Sequence, residues 1–223
     1  MEKIIKLLFL VCMNMSLLAQ NEGTVKDAEG NEYKTVQIGD QVWMAENLRT
    51  SVYGNGDSIP NIINKEQWIS LQSGAWVHYQ NDSEYNPVYG KLYNWYVIED
   101  ERGVCPAGFH VPTNEEWSDL SSFIGEQGFT NEEGIILKAK EGWNDHETLN
   151  GNGSDNFQFG ALPGGNRNLN GTYSKMGING YWWSSSLNNE VNAWCRYLYN
   201  SSSSILCYDD FKNYGFSIRC VKD

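Results

Sequence analysis

The chain has 223 residues, 16 basic and 28 acidic, for a net charge of −12. That length suits one sizeable domain. So few lysines and arginines in so acidic a chain argue against nucleic acid as a partner, since phosphate binding needs clustered cations, and the bland reading of the charge is solubility.

In chain order, residues 1–19 (MEKIIKLLFLVCMNMSLLA) put Lys3 and Lys6 ahead of an apolar run that ends on Leu17, Leu18 and Ala19, the pattern of a cleavable signal peptide. A mature chain of residues 20–223 is therefore expected, exported, with 14 basic and 27 acidic groups and a net charge of −13 once Glu2, Lys3 and Lys6 are gone. Cys12 reads as filler within this leader, because Val11 stands where a lipoprotein anchor needs a small residue. No later segment approaches the run of about 18 apolar residues that a membrane span needs.

Residues 24–48 (TVKDAEGNEYKTVQIGDQVWMAENL) carry two turn signals, Glu29-Gly30-Asn31 and Gly39-Asp40, which bracket short alternating segments and predict a meander. A short helix is expected over residues 64–71 (NKEQWISL). Residues 89–98 (YGKLYNWYVI) fit either core strand or short helix. Further on, GVCPAGFHVPTNEEWSDL (residues 103–120) gathers a cysteine, a histidine and two glutamates, a crowd that could hold a metal or an acid/base pair. Thr113 and Glu116, however, have capping-box spacing, and Trp117, Leu120 and Phe123 or Ile124 recur as a helical stripe. Glu115 and Glu116 then serve the helix dipole. His110, flanked by Phe109 and Val111, is read as a satisfied, buried histidine, so the cluster is scaffold. Another helix is expected over residues 131–140. The tract from Gly142 to Gly171, dense in glycine and asparagine, is too polar for regular structure and is expected to be ordered loop.

Four cysteines follow the leader, which allows three disulfide connectivities. AWCRYLY (193–199) and SILCYD (204–209) look like strands joined through Asn200 and a serine run. A hairpin symmetric about Ser201 puts Cys195 opposite Cys207, at the cross-strand separation of about 4.5–5.5 Å that a disulfide spans. Cys105 is then left to Cys220.

Taken together, DAEGNEYKTVQIGDQVWMAENL, YGKLYNWY, CPAGFHVPTNEEW, FGALPGG, YWWSSS and YGFSIRCV resemble the Fibrobacter succinogenes major paralogous domain, over residues 24–221. The resemblance implies an α+β fold of the C-type-lectin-like class, similar to the formylglycine-generating enzymes, with short antiparallel sheets, few helices and long loops. It also implies that Cys105 lies near the strand carrying Cys220, whereas Cys195 and Cys207 look like an addition. Enzymes of that fold use a late cysteine pair or a histidine cluster; here the late cysteines are assigned to the hairpin, and His78, His110 and His146 are scattered.

The expectation is therefore a non-catalytic binding or adhesion module, secreted or in the cell envelope, with no cofactor and no catalytic residues. Its partner would be an extracellular glycan or protein ligand. The candidate contacts are Tyr181, Trp183, Asn188, Asn192, Trp194, Arg196, Tyr197, Tyr199, Tyr208, Asp209, Asn213 and Tyr214, in a segment with the Tyr/Trp/Asn/Ser composition of antibody binding loops. The competing reading is that Trp182, Trp183 and Trp194 fill a core poor in aliphatics and that the Asn and Ser enrichment reflects loops. A metal- or cysteine-dependent enzyme of the formylglycine-generating type is the alternative, and a structural envelope component the third reading.

Overall fold

In the computed structural model, which describes residues 21–223, the chain after the expected leader begins as a meander. The leader itself lies outside the described residues. β1 (Asn21–Lys26) and β2 (Glu32–Ile38) pair antiparallel. Their turn is fixed by Asp27, whose carboxylate accepts from the amides of Glu29 and Asn31 at 3.0 and 2.9 Å. β2 is buried on both faces, Tyr33 and Thr35 on one and Val36 and Ile38 on the other, with Tyr33 entering one core and Val36 and Ile38 a second. Gly39, at φ +63°, then makes the tight turn into β3 (Gln41–Met44).

The middle of the chain uses short elements. α1 (Lys65–Ile69) is capped by Asn64, and β4 (Trp76–Val77) follows. After α2 (Asn86–Tyr89), the ambiguous stretch divides into β5 (Leu92–Tyr93), paired with β4, and α3 (Tyr96–Glu99). β6 (Phe109–His110) leads into α4 (Asn114–Ile124), which carries the full Thr113/Glu116 capping box and buries Trp117, Leu120 and Ile124. α5 spans only Glu133–Leu137, not residues 131–140. Asn131 sits at φ +65°, and Lys138 turns extended to bridge Ala161, so the polar tract pulls the chain out of the helix. Contrary to expectation, that tract is not all loop: its Gly164–Arg167 stretch forms a strand, and the part before it is tied down, with the Trp143 indole buried and donating to Ala161 O at 2.9 Å.

The last third is strand-rich: β7 (Gly164–Arg167), β8 (Tyr173–Met176), β9 (Asn179–Leu187), β10 (Asn192–Tyr199), β11 (Leu206–Phe211) and β12 (Val221–Lys222). β9, β10 and β11 form one antiparallel sheet. β12 returns to the N-terminal meander, where Val221 pairs with Trp43 on one side and His110 on the other, giving a sheet of order β1-β2-β3-β12-β6. The Cys105–Cys220 disulfide, expected above, closes this join across 115 residues. β9 is the wall between two cores. Trp182 faces the one holding Trp43, Trp117 and Phe159, and Trp183 the one holding Tyr93, Trp95 and Phe216, as side-chain alternation along a strand requires.

Between the cores, Asn47 ties four groups together. Its Oδ1 accepts from Trp182 Nε1 at 2.8 Å and Arg219 Nη2 at 2.9 Å; its Nδ2 donates to Tyr89 O and Ser217 Oγ.

His110 departs from expectation. It is satisfied but half-exposed, at 38% of its side chain, because β6 is an edge strand of its sheet. Its Nε2 meets Glu116 at 2.8 Å and its Nδ1 meets Asp223 at 2.7 Å, so the ring ties α4 to the end of β12. Burial alone would lower the His110 pKa, but the hydrogen bonds to Asp223 and Glu116 outweigh it and the pKa is raised. Burial likewise opposes ionisation of Glu116, yet the Thr113 amide and His110 hold its carboxyl below the ordinary value. The histidine's contribution is complete below 6.5 and fades as pH rises through its raised folded value. The glutamate's is complete above 4.5 and is lost as pH falls through its depressed one. The difference in Tm between the native chain and His110→Gln is therefore expected to peak between about pH 4.5 and 6.5 and to shrink at pH 9, as thermal unfolding across pH will show.

Candidate functional site

The alternation of β10 decides what the C-terminal sheet presents. Ala193, Cys195, Tyr197 and Tyr199 lie on one face, and Trp194, Arg196 and Leu198 on the other. Across the ladders, Cys195 stands between Trp183 and Tyr208, and Tyr197 between Tyr181 and Leu206. Phe216 is the hub of the rings on this face. Tyr181 stacks on it at 5.0 Å and Tyr214 at 5.3 Å, while Trp183 tilts against it at 4.4 Å. Tyr197 stands edge-on to Tyr181 at 4.4 Å and reaches Tyr208 at 5.2 Å and Tyr199 at 6.1 Å. The lower layer (Tyr181, Trp183, Phe216) is buried and fixed by polar contacts, with Trp183 Nε1 donating to Tyr93 O at 2.9 Å and Asn179 Nδ2 to the Tyr181 hydroxyl at 2.5 Å. The upper layer faces outward: Tyr197, Tyr199 and Tyr214 are half-buried and Tyr208 is 47% exposed. Among the described residues no protein group bonds the hydroxyls of these four tyrosines.

Among these rings sits Asp210, which shares the face of Tyr208 because it lies two residues further along β11. Burial pushes its pKa up to about 6, offset only slightly by the Cys195 thiol at 3.9 Å. Burial, reinforced by the Asp210 charge, pushes the Cys195 thiol up in turn. None of the ion pairs among the described residues involves Asp210.

The twelve candidate contacts thus divide. Tyr197, Tyr199, Tyr208 and Tyr214 form the outer tyrosine face. Tyr181 and Trp183 support it from within and do not themselves reach outward. Asn192, half-buried Trp194 and Asp209 lie on the opposite face, where Asn192 Nδ2 donates to Asp209 Oδ2 at 2.7 Å, and Asn188 is exposed in the β9–β10 turn. Arg196 is buried against α4, donating to Asn114 Oδ1 at 2.7 Å, to Asn114 O at 2.9 Å and to the Cys207 sulfur at 3.0 Å. Asn213 bonds away from the rings, to Leu71 O.

The expected Cys195–Cys207 disulfide is absent, and both thiols are free. The β10–β11 register pairs Cys195 with Tyr208 and Arg196 with Cys207, one residue from the symmetric hairpin. A shift of one residue exchanges faces, so Cys195 is buried under the tyrosines and Cys207 is exposed on the α4 side. The same shift hid the place of Asp210, which the observed register puts, together with Tyr208, on the face of Cys195 and Tyr197 rather than that of Trp194. Among the described residues no group of three or more His, Cys, Asp or Glu gathers to hold a metal.

A family model for the Fibrobacter succinogenes major domain matches residues 36–222. The chain belongs to this family. No curated protein and no solved structure matches it. In this Fibrobacter succinogenes major domain the matched stretch runs from within β2 to β12, and so includes the disulfide, the tyrosine face and, apart from Tyr33, the buried residues of both cores. Among the described residues no helix is long and apolar enough to cross a membrane.

Proposed function

We propose that this domain is an exported, non-catalytic binding or adhesion module of C-type-lectin-like architecture, recognising an extracellular glycan or protein ligand through the outer tyrosine face of β9–β11. The observation that carries the reading is the pair of ring layers: Tyr197, Tyr199, Tyr208 and Tyr214 offer unbonded hydroxyls and ring surface, held on a buried layer of Tyr181, Trp183 and Phe216. Rings fixed in this way contact a ligand at little further entropic cost, and each supplies an apolar face with a polar tip. The non-catalytic part of the reading is favoured by the two late thiols, which a cysteine-dependent oxidase needs side by side. Here they lie on opposite faces of the sheet, one of them buried.

A glycan and peptide array probed with the purified mature protein tests this. Tyr208→Ala and Tyr199→Ala are each expected to weaken the captured ligand by roughly tenfold or more, as central aromatic contacts do. A ligand that is lost with Trp194→Ala and kept with both tyrosine changes would move the site to the opposite face and overturn the proposal.

A further inference from the structure

The tyrosine face ends on a strand with an unfilled side. β11 pairs with β10 and with no other strand among the described residues. In an antiparallel ladder, residues alternate between pairs that bond each other and pairs that bond outward. The Lys212 amide donates to Val191 O, and in the same register Asp210–Ala193 and Tyr208–Cys195 are the mutually bonded pairs. The backbone N–H and C=O groups of Cys207 and Asp209, and the N–H of Phe211, therefore point away from the sheet; Phe211 O is already taken by the Tyr214 amide. Such an edge is a template for one more strand.

Two adjacent carboxylates decide what that strand can be. Asp209 projects to the Trp194 face and Asp210 to the tyrosine face. Together they oppose pairing with a second copy of this edge, where like charges would meet. They favour a strand that brings cations to both faces at the same point. Consecutive residues of an extended peptide do this, because their side chains alternate. On the tyrosine face the cation would lie beside Asp210 and the exposed Tyr208 ring, which attracts it further. The acidic chain as a whole steers such a segment inward.

We propose that the free edge of β11 receives an extended segment of a protein partner carrying two adjacent basic residues, added as a fourth strand so that one cation meets Asp209 and the other Asp210. This deepens the binding reading above and rests on it.

The test is fluorescence anisotropy with the labelled hexapeptide TVKKVT, its TVEEVT counterpart, and a TVKKVT form methylated on alternate backbone nitrogens, titrated into the mature protein and its Asp209→Asn/Asp210→Asn variant. TVKKVT is expected to bind, with roughly tenfold or greater losses from methylation, from the double variant and from the acidic peptide. Near-UV circular dichroism checks that the variant is folded. Failure of TVKKVT to bind, equal binding of TVEEVT, or binding untouched by methylation would each overturn the strand-addition proposal. If TVKKVT is silent while an array glycan binds and is lost with Tyr208→Ala, the tyrosine face stands as a binding site and the basic-peptide inference alone fails.

Discussion

Replacing Cys105 and Cys220 together by alanine is expected to lower the free energy of unfolding by about 4–5 kcal/mol, the chain-entropy value for a loop of about a hundred residues. The bridge spans 115 residues, with its Cα atoms 6.0 Å apart, and encloses nearly everything from β6 to β12. The strand it anchors is short. β12 contributes only Val221 and Lys222 to the ladder, supplemented by the bonds from Met44 N to Cys220 O and from Asp223 N to Gly108 O, so the covalent tie is expected to carry much of the join. Urea denaturation of the native and doubly substituted chains measures the difference, and the reduced native chain should match the variant. A loss below about 1 kcal/mol would show that packing alone holds β12 in place.

Asn47→Leu is expected to cost about 3–5 kcal/mol, the range for stranding a buried charge and its hydrogen-bonding neighbours. The leucine fits the volume but removes all four contacts at once, including the acceptor shared by Trp182 and Arg219. Arg219 is fully buried, and none of the ion pairs among the described residues involves it. It lies over the Phe159 ring, keeps carbonyl acceptors at Phe159 and Gly160, and already has an unpartnered Nε. Burial accordingly lowers its pKa. Asn47→Asp, which retains an acceptor for the guanidinium, should be the milder change. Equal losses from the two substitutions, measured by equilibrium unfolding, would show that volume rather than charge compensation matters at this position.

Local features of the fold were legible in the sequence because their physics is local. The Thr113/Glu116 box, the Trp117/Leu120/Ile124 stripe and the Asp27–Asn31 turn each need only a few consecutive residues. The contacts of His110 were not, since one of its carboxylate partners comes from Asp223, 113 residues away. α5 was overextended because nothing within residues 138–140 announces that the chain there is captured by Ala161. The candidate site was legible as a region but not as a surface. Composition marked the segment from Tyr181 to Tyr214, yet which rings face outward depends on a register that the serine-rich turn leaves open by one residue. That residue separates Asp210 beneath the tyrosines from a cysteine pair that does not form. Nor could sequence alone separate Trp183, sealed against Phe216, from Tyr208, which is not.

The placement of Val221 between Trp43 and His110 has a consequence for biogenesis. A growing polypeptide still missing its final few residues cannot seal its first sheet or oxidise Cys105 with its proper mate. Both steps must therefore wait until residues 220–222 have been made and can reach back to Trp43, Cys105 and His110, so this sheet closes late however early its first strands form.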